Sequence, residues 1–536
     1  LLGGGVFYQV ITPVAGSLAL SALAAAVPVL VVLVLLGVLR RPAWQASAAG
    51  LLIGLILASL VWGLPAGMAA NAALAGMVYA LWPVMWIVFA ALFLYNIAVE
   101  SGRFAAFRDW IFDNLPNDRR VVLVVIGFCF GALLEGISGF GTPIAITSSL
   151  LIMIGWPAME ALTYTLIFNT APVAFGALGV PITVLGKVTG LSPVTLGAMV
   201  GRQLPVFALI LPFYVMALFG GRRAVAQLWP LLLVAGGSFA VAQFVTSNFF
   251  DYQLTDVFAS LGALAVTILF LRVWRPAPEA EQAMARPAAL GARGHGNWQG
   301  WVPWLIVAAV VIAWTHFHLP SIGQADIHWP GLDQRIFITL YGKPYPLVWS
   351  FQPLASGTAI MLAALLTAAV VGVGPGRLLL CLGRTAGQVW LAAVTVALIV
   401  GLAYVMNYGG LTYTLGRAAA SLGPGFIFAS PFLGWLAVML SGSDTSGNAL
   451  FGNLQVVAAR QLGLNAVLFA AANSSGGVMG KMVSPQNIAT GVSVTDLKGQ
   501  EGAVFARTFP HSVVLTVMMG ILVLAEQYLV PWVIPK

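Results

Sequence analysis

Apolar runs of bilayer-crossing length recur along almost the whole chain, separated by short polar connections. They fall near residues 18–39, 44–62, 69–99, 121–136, 140–155, 160–179, 204–219, 228–248, 255–273, 301–316, 355–373, 387–406, 427–441, 447–459, 465–480 and 509–533. A helix crosses the hydrocarbon core with roughly 20 apolar residues, whereas the strands of an outer-membrane barrel alternate over about ten. The pattern therefore predicts helices. Several runs are too short to cross alone, so the expected fold is an all-α polytopic membrane protein with about 12–14 spans plus re-entrant or broken helices.

Two stretches are long and polar enough to leave the membrane. Residues 275–300, rich in Ala, Pro, Gly and charge, predict a flexible cytoplasmic linker between an N-terminal half, 1–274, and a C-terminal half, 301–536. Residues 316–348 predict an outer loop, within which 335–345 has the pattern of a small β-hairpin. His316, His318, Asp326 and His328 in that loop suggest a metal site, but solvated or interfacial loop residues are the simpler reading, and no metal or other cofactor is expected.

Composition agrees: 60% of the 536 residues are hydrophobic and 7% charged, against about 25% charged in a soluble domain. The net charge of +8 invites a nucleic-acid partner, but Lys and Arg sit in short connections rather than on one face. Arg40 and Arg41, the stretch 103–120, Arg222 with Arg223, and 272–293 mark cytoplasmic loops by the positive-inside rule, which places the amino terminus outside. No short charged signal peptide precedes the first span, which is expected to act as its own insertion signal. Cys129 and Cys381 lie in or near apolar segments and support neither a disulfide framework nor a metal site.

The most informative feature is internal similarity. Ser138-Gly-Phe-Gly-Thr142 resembles Ser441-Gly-Ser-Asp-Thr445 at an offset of 303 residues, and Asn169-Thr170, Gly176 and Pro181 match Asn473-Ser474, Gly480 and Pro485 at 304. The first copy follows the basic, cytoplasmic Arg119 and Arg120, while counting crossings puts the loop before Ser430 outside, although Arg417 lies in that loop. The expectation is two inverted repeats of a secondary transporter, with substrate held near mid-membrane where the two breaks face each other.

The breaks carry the candidate chemistry. Glu135-Gly-Ile-Ser-Gly-Phe-Gly-Thr-Pro143 interrupts an apolar run with three glycines and a proline, which cost a helix about 1 kcal/mol per Gly and about 3 for Pro. Freed backbone N–H groups need partners that lipid cannot supply, and a carboxylate substrate suits the positive end of a half-helix. The competing reading is close helix packing on glycine. Ser138, Gly139, Gly141 and Thr142 are the candidate ligands at this break, and Ser443 and Thr445 those at the second, Ser441-Gly-Ser-Asp-Thr-Ser-Gly-Asn448.

Asp444, an acid in an otherwise apolar hairpin, either carries the coupling proton or caps a helix. Glu135 is either a second proton carrier or the partner of a buried cation. Lys481 can neutralise a carboxylate or snorkel to an interface. Arg202 offers a bidentate fork but sits where a loop or helix start is equally well read. Asn169, Thr170, Asn473, Ser474, Gln486 and Asn487 can bind a hydroxyl or carboxylate, or satisfy broken backbone.

Glu135-Gly-Ile-Ser-Gly-Phe-Gly-Thr-Pro-Ile-Ala-Ile146, Asn169-Thr-Ala-Pro-Val-Ala-Phe-Gly-Ala177, Met199-Val-Gly-Arg-Gln-Leu-Pro205, Ser441-Gly-Ser-Asp-Thr-Ser-Gly-Asn-Ala-Leu-Phe451 and Gly476-Gly-Val-Met-Gly-Lys-Met-Val-Ser-Pro-Gln486 closely resemble segments of the bacterial L-lactate permease family, which also transports glycolate. The likeness covers nearly the whole chain and is weakest in the linker and outer loop. Thr142 stands where the family pattern often has Ala. The resemblance implies proton symport of L-lactate, D-lactate or glycolate across the bacterial cytoplasmic (inner) membrane, with elevator-like movement implied by more distant relatives. A transporter of another small anion, a membrane-embedded enzyme and a passive channel remain the alternatives. No catalytic triad or nucleotide motif favours the enzyme. Oligomeric state is not readable from the chain.

Overall fold

The computed structural model describes residues 5–535 except 38, 40, 138–141, 278, 284–297, 318, 494 and 498–499. Ser138, Gly139 and Gly141, most of the 275–300 segment, His318 and the side chains of Thr142 and His316 therefore lie outside what is described.

After a short strand β1 (Phe7–Tyr8), the chain forms α1 (Leu18–Gly37), α2 (Ala43–Leu60), α3 (Ala66–Tyr79), α4 (Trp86–Glu100) and α5 (Arg103–Asp113). Next come α6 (Arg119–Ile137), α7 (Thr142–Met153), α8 (Ala158–Phe168), α9 (Gly176–Thr189), α10 (Pro193–Phe249), α11 (Thr255–Val273) and α12 (Val302–His316). Four short strands follow, β2 (Ala325–His328), β3 (Ile336–Ile338), β4 (Lys343–Pro344) and β5 (Val348–Phe351). The chain closes with α13 (Ser356–Val371), α14 (Pro375–Gly409), α15 (Leu411–Ala420), α16 (Gly425–Ser441), α17 (Asp444–Gln461), α18 (Ala466–Lys481), α19 (Pro485–Ser493) and α20 (Glu501–Tyr528). This is an all-α polytopic membrane fold.

Among the described residues eight helices are long and apolar enough to cross a bilayer, or nine if the bent pair α8–α9 counts as one span. That is fewer than the 12–14 expected, for two physical reasons. The 57-residue α10 would be about 85 Å long if straight, but it folds back at Gly221, whose φ of +60° admits the turn, so it makes two arms. Shorter apolar helices such as Pro143–Met153 and Gly425–Met439 are the arms beside the breaks.

The two ends of the helices differ. At one end Arg120 pairs with Asp118 (2.7 Å) and Glu279 (3.1 Å), Arg119 donates to Gln282 and Arg103 to Gln299, so the basic segments gather on one side. At the other end β3 pairs with β1 in parallel and with β4 as the expected hairpin, while β2 and β5 form a second, antiparallel pair. The span α4 links these ends: Trp86 donates to Thr358 near the strands, and Glu100 accepts from Arg384 at 3.3 Å on the basic side. The positive-inside rule expects the basic side to face the cytoplasm. Within the bundle, the α6 span is wholly buried in protein whereas α1 is one-third buried, so α6 occupies the centre and α1 the lipid-facing rim.

Candidate functional site

Two interruptions meet in the middle of the bundle. Between α8 and α9 the chain turns through 65°, and Ala177, Leu178 and Gly179 all take left-handed conformations, with φ of 45°, 59° and 73°. For the two non-glycines such backbone costs about 1–3 kcal/mol each and persists only where the surroundings hold it. Gly176 has no room for a side chain, since a Cβ there would lie 2.8 Å from the Glu135 carboxylate. The second interruption separates α16 from α17. Gly442 ends α16 at φ 74°, and the Ser443 hydroxyl caps α17 by accepting from Ser446 N at 3.3 Å. Ser443 is thus the cap, and Asp444 is the first helical residue beside it. A third break, between α18 and α19, is tied to the second by Asn487, which donates to the carbonyls of Gly442 (3.1 Å) and Lys481 (3.3 Å).

The charged groups converge here. Lys481, at the end of α18, donates to Glu135 of α6 at 2.5 Å, and both are buried. Asn169 supports the other carboxylate oxygen at 3.0 Å. A buried pair of this kind stands only if each partner is otherwise satisfied, because either charge alone is costly. Asp444 is held differently: its Oδ2 accepts from Ser474 (2.5 Å) and Asn448 (3.1 Å), and its Oδ1 has no hydrogen bond among the described residues. From Asn448 a chain of amides runs through Asn473 (2.9 Å) and Gln455 (3.3 Å) to Ser430 (2.8 Å), locking α17, α18 and α16 together. Glycine makes that packing possible. A Cβ on Gly434 would fall 1.9 Å from Asn473 O, and one on Gly476 would fall 2.3 Å from Pro431 O.

Between the interruptions lies a cavity of about 50 Å³ bordered by Glu135, Gly176, Ser443, Asp444, Thr445, Lys481, Gln486 and Asn487. One water needs roughly 10–15 Å³, so the space suits a few waters or one small organic ion. Its wall presents an ammonium, hydroxyls, amides and the N-terminal turn of α17, whose first N–H groups lack intrahelical partners.

Of the residues singled out in the sequence, Glu135, Ser443, Asp444, Thr445, Lys481, Gln486 and Asn487 border this cavity. Asn169, Asn473 and Ser474 stand one layer behind it, holding Glu135, Asn448 and Asp444. Thr170 returns its hydroxyl to Ile167 O at 2.7 Å, a helix-end bond. Arg202 is elsewhere: its guanidinium donates to Asn248 (2.8 Å) and to Val533 O (2.5 Å), so its fork is occupied by the protein. The candidate metal ligand His328 instead shares a 2.7 Å hydrogen bond with Asp333.

Two residues were not anticipated. Asn448 joins both networks, and its place one turn after Asp444 was the available signal. Asp256 of α11 is fully buried, neither of its oxygens is hydrogen-bonded among the described residues, and it packs on Gly136, where a Cβ would meet Asp256 Cβ at 2.6 Å. As a lone acid in the first turn of an apolar run it reads as an ordinary helix-start residue.

Broken helices closing on a buried, charged cavity inside a multi-pass bundle define a membrane transport protein. The model of the L-lactate permease family matches residues 21–530. The chain is 39% identical to the L-lactate permease of Salmonella typhimurium, covering 97% of this chain and 98% of that one. It is 40% identical to the glycolate permease GlcA of Escherichia coli, over 96% and 97%. Among solved structures, Neisseria gonorrhoeae MtrF, described as one of a class of antimetabolite efflux pumps, superposes with a TM-score of 0.49 at 14% identity, covering 92% of this chain and 96% of that one. The chain belongs to the L-lactate permease family, and it is a multi-pass protein of the bacterial inner membrane.

Proposed function

We propose that the protein imports L-lactate and related small 2-hydroxymonocarboxylates, D-lactate and glycolate among them, by symport with a proton. The family and the relatives named for L-lactate and glycolate support the substrate class. The observation that carries the coupling is the charge balance of the central cavity. Among the described residues its one cation, Lys481, is already neutralised by Glu135, and Asp444 borders the same space with one oxygen that has no hydrogen bond. A substrate carboxylate entering beside an ionised Asp444 puts two uncompensated anions in a small, poorly solvated space, where repulsion is strong. A proton on Asp444 or Glu135 removes one of them. Coupling one proton per anion also makes the cycle electroneutral, sparing about 2.3 kcal/mol per 100 mV of opposing potential.

In this reading Lys481 and the α17 N-terminus hold the carboxylate, while Ser443, Thr445 and Gln486 bind the hydroxyl. The segments containing the breaks act as two inverted repeats. Helices α6–α11 and α16–α20 move elevator-like against α1–α4, α13 and α14, with the linker 275–300 on the cytoplasmic side between the two halves of the chain. Uptake of labelled L-lactate by proteoliposomes tests this: accumulation is expected only with an inward proton gradient. Accumulation regardless of the gradient overturns the coupling, and indifference to both lactate and glycolate overturns the substrate in favour of another small anion.

A further inference from the structure

A second, larger cavity of about 440 Å³ opens at the strand end of the bundle. Three cations border it, Lys187, Lys343 and Arg460, and no Asp or Glu is among its lining residues. All three have neutral partners. Lys187 donates to Val348 O at 3.1 Å and lies 4.9 Å from the centre of the Tyr79 ring, while Arg460 and Lys343 lie 5.4 and 6.0 Å from the ring centre of Tyr341. The nearby acid, Asp333, is already engaged, with one oxygen on His328 and the other accepting from Leu347 N at 2.7 Å. Aromatic faces hold cations in place without cancelling their charge as a carboxylate does. The result is a recess of uncompensated positive charge, the arrangement that concentrates anions.

The same two helices serve both cavities. Helix α9 borders the central cavity at Pro181 and the outer one at Lys187, and α17 borders the central cavity at Asp444 and the outer one at Asn453 and Arg460. At 1.5 Å per residue the two sites are separated by roughly 9 Å along α9, from Pro181 to Lys187, and by roughly 14 to 24 Å along α17, from Asp444 to Asn453 and Arg460. In between they pack closely, with Leu185 over Gly452, where a Cβ would come within 2.5 Å. The recess therefore sits over the central cavity, on the side away from the basic cytoplasmic ends, with a packed interval between.

We propose that this recess is a first binding station for the small carboxylate anion, in which Lys187 and Arg460 hold the carboxylate before it passes along α9 and α17. The proposal rests on the reading of the protein as a carrier of such anions. It makes the route two-site, with an outer station set by cations and aromatic rings and a central one set by the helix breaks.

The test is equilibrium binding of labelled L-lactate to the purified full-length protein, alongside uptake in proteoliposomes, for wild type, Lys187→Gln/Arg460→Gln and Arg460→Lys. Wild type is expected to bind two lactates per chain, the weaker one weakening further with added salt. The double variant keeps one, with KM for uptake raised at least tenfold and maximal rate within about twofold of wild type. Arg460→Lys, which preserves charge, keeps both. One lactate per wild-type chain overturns the station even if KM rises in the double variant, because that pattern is steering without a site. An unchanged KM with two lactates still bound overturns it as well. Absence of any lactate or glycolate binding to folded wild type is a different result, and it defeats the substrate assignment itself.

Discussion

The two acids that border the central cavity are kept in place by different means. Glu135 is neutralised by a cation from a helix 346 residues away in sequence, whereas Asp444 is supported by a hydroxyl, an amide and the start of its own helix. A carboxylate locked to an ammonium at 2.5 Å gives up a strong interaction when it takes a proton. One held by neutral dipoles gives up less, and its second oxygen is buried with no hydrogen bond among the described residues. In the proposed cycle Glu135 chiefly holds Lys481 and the breaks together, and Asp444 exchanges the proton.

Breaking the ion pair has the largest expected effect. Lys481→Met leaves Glu135 buried without its counter-charge, a change of about 3–5 kcal/mol, and uptake should be lost. The double variant Lys481→Met/Glu135→Gln should recover most of the lost stability in a thermal unfolding assay without recovering transport. A double variant no more stable than the single one removes the pairing as the cause.

Asp444→Asn probes the other side of the comparison. Stability should shift by no more than about 1–1.5 kcal/mol, since the amide keeps one hydrogen-bond acceptor. Lactate–lactate exchange should persist while gradient-driven accumulation disappears. Loss of exchange as well turns Asp444 into a substrate ligand rather than a proton carrier.

Packing around Asp444 comes next. Gly476→Ala pushes a methyl to within 2.3 Å of Pro431 O, backbone that cannot yield easily, and should cost about 1–3 kcal/mol. It pushes α18, the helix that carries both Ser474 and Lys481, away from α16 at Pro431, so a lowered unfolding temperature together with reduced uptake is expected. The smallest effect is predicted for Asp256→Asn. No donor supports a carboxylate there, so the amide should leave stability within about 1 kcal/mol and accumulation intact. A strong transport defect in a well-folded Asp256→Asn protein brings Asp256 into the coupling mechanism.

Much of the site was legible along the chain because its signals are local. Glycine inside an apolar run marked the break at 441–448, since its conformational cost is paid residue by residue, whereas residues 138–141 of the other expected break lie outside the described residues and the break between α8 and α9 falls inside the run 160–179 that was read as one span. An acid in the second break was conspicuous because a membrane interior tolerates so few. Arg202 shows the limit of such signals. Its fork suits a substrate carboxylate as well as it suits Asn248 and Val533 O, and nothing in the neighbouring residues says which it meets. The outer recess is a similar case: Lys187, Lys343 and Arg460 lie in three unrelated stretches, each unremarkable alone.

The sequence by itself determined that the chain is a helical membrane protein, that a helix breaks at 441–448, and which polar residues fall there. Hydropathy, glycine and proline act over a few residues, so one dimension suffices to read them. Only the tertiary structure decided that Lys481 neutralises Glu135, that Ser443 rather than Asp444 caps α17, and that three scattered cations share one cavity. Charge compensation depends on distance in space, and in this chain the partners that matter are brought together from segments hundreds of residues apart.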